Sequence, residues 1–366
     1  MSALSGSNGP KSHARKSFSQ VRIVGSGLIG TSIGLGLVQH GVQVEMIDSD
    51  PRSQSLASDL IGSKETKSPE IVIFALPTGQ LEMVLHGEFD LNPKSTFMDV
   101  GSVKTEVLLK VESIPGMSDR FVPSHPMAGR EIGGAIAARA DLFIGRSWVV
   151  TPTPSTNSES TEIVQDLISL LGATPLVLSA ADHDAAVAKI SHLPQIVSSL
   201  LAKQLIGTKP EWMELSGQGL RDSTRIAASD EQLWKEIIYS NRKILTKLLK
   251  DLKMDLEGLI VNLEDPSHIE KMLSQGRIGR ELIPGKHGGK AREYSYLPIV
   301  IDDKPGQLAA IFNECSTLGV NVEDLIIEHS PGQLSALITL SLSSPDAHKL
   351  SDHLGAIGWN VHPIRN

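Results

Sequence analysis

His125 lies between Ser124 and Pro126 in the stretch FVPSHPMAGRE, residues 121–131. A neutral imidazole near pH 7 can accept a proton as an alcohol is oxidised. The stretch holds two prolines and has little periodicity, which makes it a poor helix and a doubtful strand interior. It reads as a loop, and its histidine as either an active-site proton acceptor or a polar loop residue. Three further clusters carry groups suited to the same chemistry. MDVGSVK (98–104) ends an apolar run with Ser102 and Lys104. KISHLPQ (189–195) holds His192, and helical spacing puts Lys189, His192 and Gln195 on one face. GLRDSTRIAASDEQLW (219–234) holds Asp222 and Arg225. A guanidinium fork grips a carboxylate bidentately, which lysine does poorly. The twelve histidines show no convincing metal-ligand spacing.

Oxidation also needs a hydride acceptor, and VRIVGSGLIG (21–30) supplies a place for one. Gly25, Gly27 and Gly30 form a G-x-G-x-x-G pattern, with Leu28 and Ile29 between the last two. The pattern follows an apolar strand, opens an apolar helix, and a second strand then ends in Asp48, which is the context that gives it weight. Gly25 permits the tight turn, Gly27 lets backbone approach a pyrophosphate, and Gly30 lets helix and strand pack closely. The helix N-terminus offers N–H donors to phosphate. Asp48 can accept from ribose hydroxyls and would repel a 2′-phosphate, so NAD is favoured over NADP, with Arg52 close enough to weaken the preference. Thr78, at the end of IVIFALPT, either touches the cofactor or caps a helix.

The elements that must position these groups fall into three kinds. Over 18–181, strands such as VRIVG, VQVEMID, IVIFALP, TFMDV and WVVTP alternate with helices, which implies an α/β Rossmann-type parallel sheet. From 182 to 283 no convincing strand occurs and long amphipathic stretches follow one another, an all-α domain in which Pro194 marks a kink or break. Its apolar surface exceeds what one small bundle needs, which points to a homodimer. Residues 284–294 read as a glycine-rich linker, and 295–366 as a ferredoxin-like βαββαβ unit. Residues 1–17 are polar, lack the apolar core of a signal peptide and read as a disordered tail. A net charge of −8 argues against nucleic-acid binding. No apolar run is long enough to span a bilayer, and the single cysteine, Cys315, suits a reducing, cytoplasmic setting.

In this order behind GSGLIG, the motifs DVGSVK, HPMAGRE, SHLP and LRDSTRIA…LW resemble the prephenate dehydrogenases of the TyrA family over about residues 20 to 285. DKPGQLAAIFNECSTLGVNVEDL resembles an ACT domain, which some family members carry as an amino-acid sensor. The resemblance implies NAD-dependent oxidative decarboxylation of prephenate to 4-hydroxyphenylpyruvate in tyrosine biosynthesis. It makes His125 the catalytic histidine and Ser102 a serine that orients it. Arg225 becomes the substrate-carboxylate clamp, Asp222 and His192 its neighbours at the site, and Glu131 a residue of the pocket rim. It adds Trp234 as a matching position. Gln195 departs from the pattern, since many relatives have a second histidine there. Gly319 and Asn321 would meet an aromatic amino-acid effector, tyrosine or phenylalanine. Arogenate dehydrogenase is the nearest alternative, because the same histidine and arginine would serve. A β-hydroxyacid dehydrogenase using Lys189 leaves HPMAGRE and RDSTRIA unexplained. A non-enzymatic NAD and amino-acid sensor would not need the proton acceptor and clamp.

Overall fold

The computed structural model describes residues 18–130, 132–283, 294–302, 304–329 and 335–365. The expected tail at 1–17, Glu131, and the expected linker apart from Tyr294 lie outside them. The chain forms two units, Met1–Asp255 and Leu256–Asn366. The expected boundary at 181 runs inside the first.

The first unit is built on seven short strands: β1 (Gln20–Val24), β2 (Gln43–Ile47), β3 (Ile71–Phe74), β4 (Thr96–Asp99), β5 (Phe121–Pro126), β6 (Ser147–Val150) and β7 (Thr174–Val177). Between them run α1 (Leu28–Gln39), α2 (Pro51–Ile61), α3 (Thr78–Leu91), α4 (Thr105–Glu112) and α5 (Ser158–Leu170). Every residue of β3 and β4 is buried, as central strands covered on both faces must be. The sheet order is β2-β1-β3-β4-β5-β6-β7. From β2 to β5 all neighbours are parallel. β5 and β6 are antiparallel, so the sheet is mixed rather than wholly parallel. The reason lies in the connection: among the described residues of 127–146, the one helical element between β5 and β6 is a short 3-10 turn, Ala135–Ala137. A parallel pair would need a crossover, usually a full helix.

β5 also corrects the reading of FVPSHP as a loop. Its first half pairs with β4, ending at Asp99 opposite Pro123, and its second half pairs with β6, with His125 opposite Val149. Pro123 sits where the partner changes, which limits the cost of its missing N–H. The Ser124 N–H finds the Asp99 carboxylate at 3.2 Å instead. Ser124 Oγ donates to the Asp99 carbonyl at 2.7 Å and accepts from Trp148 Nε1 at 2.9 Å. Alternation is missing because both faces of this strand are covered: five of its six residues are buried and His125 is half-buried.

The turn after β1 has little room. Gly25 has φ +109°, and a Cβ there would lie 2.2 Å from the Ala75 carbonyl oxygen. A Cβ at Gly30 would lie 2.1 Å from the Gly25 carbonyl oxygen. The end of β3, the turn and α1 are thus in backbone contact at the point where the strand order reverses.

A single rod then carries the chain onward. α6 (Ala180–Val187), capped by Ser179, passes through a π turn at Ala188–His192 into α7 (Leu193–Lys203). Of the expected kink or break at Pro194, the break does not occur. Proline removes a helical donor and crowds the carbonyl four residues back, and the wider π turn just before it relieves both. The same turn overturns the expected shared face: His192 and Gln195 are buried, while Lys189 is exposed. After this come α8 (Pro210–Met213), α9 (Gln218–Thr224), a 3-10 turn at Arg225–Ala228, α10 (Glu231–Ser240), α11 (Arg242–Val261) and α12 (Pro266–Glu281). Among the described residues no strand interrupts 180–283. Leu200, Leu233, Tyr239, Met254 and Leu273 stay exposed on these helices.

The second unit carries β8 (Ser295–Asp302), α13 (Gln307–Leu318), β9 (Asp324–His329), β10 (Ser335–Leu342), α14 (Ser344–Ala356) and β11 (Asn360–Val361). The order β11-β8-β10-β9, all antiparallel, is the expected ferredoxin-like arrangement. Leu297, Ile299, Ile311, Ile338 and Leu350 anchor a core of its own.

Candidate active site

The C-terminal ends of β1, β3, β4 and β5 share one sheet edge, where ligands of open α/β sheets bind. At β1 the backbone of Gly27 faces open space, with nothing within 4 Å of a would-be Cβ. The N–H and Oγ–H of Ser26 both donate to Asp48 Oδ2 at 2.7 Å, and Asp50 N–H donates to Oδ1 at 2.9 Å. Partial burial opposes ionisation of Asp48, but these hydrogen bonds hold its pKa below the usual carboxylate value. Its remaining lone pairs can still accept from a ribose diol. Asp50 adds a second carboxylate beside it. This turn fits an adenine dinucleotide without a 2′-phosphate.

Thr78 is half-buried at the start of α3, so Pro77 and not Thr78 holds the cap position. Its hydroxyl lies 3.4 Å from where a Cβ of Gly101 would stand. Ser102 follows Gly101, half-buried at the mouth of β4. Beyond it Lys104 is wholly buried, its ammonium paired with the Asp99 carboxylate and donating to the Ser124 carbonyl at 2.6 Å. Burial lowers the Lys104 pKa and raises that of Asp99, with the ion pair opposing both shifts.

His125 ends β5 beside this pair. Its Nδ1 lies 2.9 Å from His183 Nε2, and the rings meet edge to face. His183 Nδ1 lies 2.8 Å from Asp184 Oδ1. Asp184 also accepts from the backbone N–H of Lys104 and of Thr105, each at 2.8 Å. Burial opposes its ionisation, yet the bonds from His183, Thr105 and Lys104 lower its pKa. Asn241 Nδ2 reaches the Asp184 carbonyl at 2.9 Å and His192 Nδ1 at 3.2 Å. Burial drops the His192 pKa from 6.5 to about 4. Burial, with the nearby Lys104, His183 and His192, holds His125 well below 6.5, against a smaller opposing pull from Asp184. Both rings are therefore neutral at pH 7. Because their folded-state values are depressed, the stability tied to the neutral rings is present above pH 6.5 and is lost as pH falls through those values.

The fold thus gathers His125, Lys104 and His192 at one place. It also brings in His183, Asp184, Asn241 and Asp99, to which the sequence reading gave no role. A His-Asp pair at the head of a helix, eight residues ahead of SHLP, was the available signal. The observed partner of His125 Nδ1 is His183, not Ser102. Arg225 is exposed and opens the 3-10 turn after α9. Asp222 lies inside α9, where it accepts from Gln218 at 2.8 Å, and Gly217 holds the cap position. This segment is tied to α7 by Gln195 Nε2 donating to the Ile226 carbonyl at 2.9 Å and Ser198 Oγ donating to the Ser223 carbonyl at 2.8 Å. Gln195, the departure from the family pattern, holds the backbone beside Arg225. Trp234 packs edge to face on His192. Among the described residues no group of three His, Cys, Asp or Glu side chains is placed to hold a metal ion, and no helix is long and apolar enough to cross a membrane.

Residues 28–177 match the family model described as prephenate dehydrogenase, nucleotide-binding domain, and 179–274 match prephenate dehydrogenase, dimerization domain. The chain belongs to the prephenate dehydrogenase family. A prephenate dehydrogenase of Lactococcus lactis is 28% identical over 334 residues, covering 86% of this chain and 92% of that protein. The crystal structure of prephenate dehydrogenase from A. aeolicus, in complex with hydroxyphenyl propionate and NAD+, has a TM-score of 0.65 at 29% identity, covering 74% of this chain and 99% of that one. The structure of Synechocystis arogenate dehydrogenase has a TM-score of 0.61 at 27% identity, covering 71% and 98%. As a family member the protein is an NAD-dependent oxidoreductase of aromatic amino-acid biosynthesis, and its helical segment includes the family's dimerization domain.

Proposed function

We propose that the protein converts prephenate to 4-hydroxyphenylpyruvate and CO2, with His125 as the base. The observation that carries this is a neutral, half-buried imidazole at the nucleotide edge of the sheet, with Nδ1 already engaged. NAD, held by the Gly25–Gly30 turn and Asp48, would supply the acceptor for the hydride that leaves the ring carbon. His125 Nε2 takes the hydroxyl proton as that hydride leaves. The resulting ring ketone draws the electrons of the carboxylate C–C bond, CO2 departs, and the ring becomes aromatic. The phenolate oxygen then recovers a proton from His125. Lys104, one wholly buried cation behind this edge, favours anionic oxygen in front of it.

Ser102 and Thr78 line the cofactor side together with the Gly25–Gly30 turn and Asp48. Arg225 clamps a substrate carboxylate, and Asp222 shapes the same segment. Buried His192 and half-buried Trp234, packed edge to face, form a wall of the substrate side. Glu131, placed by sequence at the rim, lies outside the described residues. Mixing the protein with NAD and prephenate, then with NAD and arogenate, and following NADH absorbance tests the reading. Turnover of arogenate alone would move it to arogenate dehydrogenase, and turnover of neither would remove it. The Lys189 chemistry of a β-hydroxyacid dehydrogenase loses support, since that side chain is exposed away from the buried group.

The Arg225→Gln variant is expected to raise KM for prephenate at least about 10-fold, as loss of a charge-assisted bidentate contact should, while kcat and NAD affinity change less than 3-fold. A normal KM would remove the clamp. We further read the exposed apolar helices as a homodimer interface and residues 295–366 as an ACT domain that senses tyrosine or phenylalanine. Gly319, in a left-handed turn after α13, and Asn321, bonded to Glu323 at 2.9 Å, form the candidate effector edge. A monomeric sedimentation mass would remove the first of these, and unchanged kinetics with no heat of binding on titrating both amino acids would remove the second.

A further inference from the structure

Three buried groups behind the base have no task in the reaction as written: His183, Asp184 and Asn241. His183 and Asp184 form a continuous hydrogen-bonded line with His125, at 2.9 Å and 2.8 Å between successive side chains, and Asn241 bonds the Asp184 backbone carbonyl at 2.9 Å. Asp184 is pinned at the far end by two backbone N–H donors and so cannot turn away. We propose that His183 and Asp184 act as a positioning relay behind His125: they fix its proton on Nδ1, leave Nε2 as the proton acceptor, and share the positive charge that arrives there. The proposal deepens the reading of His125 as base and rests on it.

The direction of the line follows from its end. An ionised carboxylate only accepts, so His183 Nδ1 must donate to Asp184. For His183 Nε2 to accept across the 2.9 Å contact, His125 Nδ1 must donate to it. That leaves a lone pair on His125 Nε2. When a substrate hydroxyl gives up its proton to Nε2, both nitrogens of His125 carry protons. The Nδ1–H···Nε2 and Nδ1–H···Oδ1 bonds then strengthen in series toward the carboxylate, with no net change in the number of protons. Asn241 sets the opposite tautomer on the second histidine: its amide donates to His192 Nδ1, so the proton of neutral His192 is on Nε2. The site holds one imidazole set to accept and one set to donate. The relay also joins α6 to the start of α4 through Asp184, so it places His125 relative to both.

The charged and titratable groups facing His125 are Lys104, with Asp99 behind it, from the β4 edge, His183 and Asp184 from α6, and His192 from the π turn. Asp184 is the one that favours the cation. Asp184→Asn is therefore expected to lower kcat about 100-fold with KM within 3-fold, and to move the acidic limb of kcat/KM to lower pH. A merely structural role predicts the reverse shift, since loosened packing would let the limb rise toward 6.5. His183→Gln, which can still accept from His125 and donate to Asp184, should keep about 10-fold more activity than His183→Leu. NAD titration and circular dichroism separately report whether Asp184→Asn is folded. An upward or absent limb shift, or equal activity in the two His183 variants, overturns the relay.

A readout without turnover separates this from the reading of the reaction. In the NAD-bound wild type, 15N shifts of the His125 ring should show Nδ1 protonated and Nε2 bare, with His192 reversed. The opposite assignment for His125 overturns the relay even if prephenate is turned over. Failure of the wild type on both substrates with the expected assignment overturns only the reaction.

Discussion

The His125→Asn variant is expected to turn over prephenate at least about 100-fold more slowly than the wild type, the loss typical of general-base removal. Asparagine can keep a hydrogen bond to His183, so the sheet edge stays in place, but it cannot take a proton. KM and NAD affinity should change little. The wild-type acidic limb should lie well below pH 6.5, because burial and the Lys104 charge disfavour the imidazolium. Above that limb the ring is neutral and the rate flat with respect to this group; as pH falls through it, protonation removes the base. The residual activity of the variant should lack that limb. Steady-state kinetics across pH check all three statements, and turnover within 3-fold of wild type would end the assignment.

Lys104→Met carries the largest expected cost in stability. It leaves the Asp99 carboxylate in a site 2% exposed, with only backbone donors from Gly101 and Ser124. Removing one member of a buried ion pair costs about 3–5 kcal/mol, more than the pair itself contributes. The double variant Asp99→Asn with Lys104→Met should recover most of that. The sign with pH is fixed by Asp99, whose folded-state pKa is already raised by burial and would rise further without Lys104. Its contribution is complete below the unfolded value and fades as pH climbs through the folded one, so the deficit of the single variant should narrow as pH falls. Urea unfolding at several pH values measures this. Equal midpoints for the single variant and the wild type would show that the pair is dispensable.

Much of this was legible in the chain. The glycine spacing, the strand before it and Asp48 defined the cofactor turn because they are local and rest on backbone sterics. The ferredoxin-like order was read from alternation. His125 was singled out, but the strand that carries it was not, because FVPSHP is buried on both faces and so shows no period-two pattern. The partners of His125 come from a helix 58 positions away, and nothing in the local pattern of either segment announces the pairing. The sequence set Lys104 beside Ser102 at the end of an apolar run, whereas the fold closes over it completely. Gln195 looked like a lost histidine, whereas its amide braces the backbone next to Arg225.

His183 and His192 are nine positions apart. At about 100° per residue a regular α-helix would set them half a turn out of phase, on opposite sides of the rod. The π turn between them takes up roughly one extra residue, which resets the phase by about 100°. Asn241 can then touch both the His183-Asp184 end and His192. The irregularity works as an angular spacer: nine residues cover the angle of eight, so deleting one residue from Ala188–Ser191 would straighten the rod and leave the two histidines at nearly the same phase.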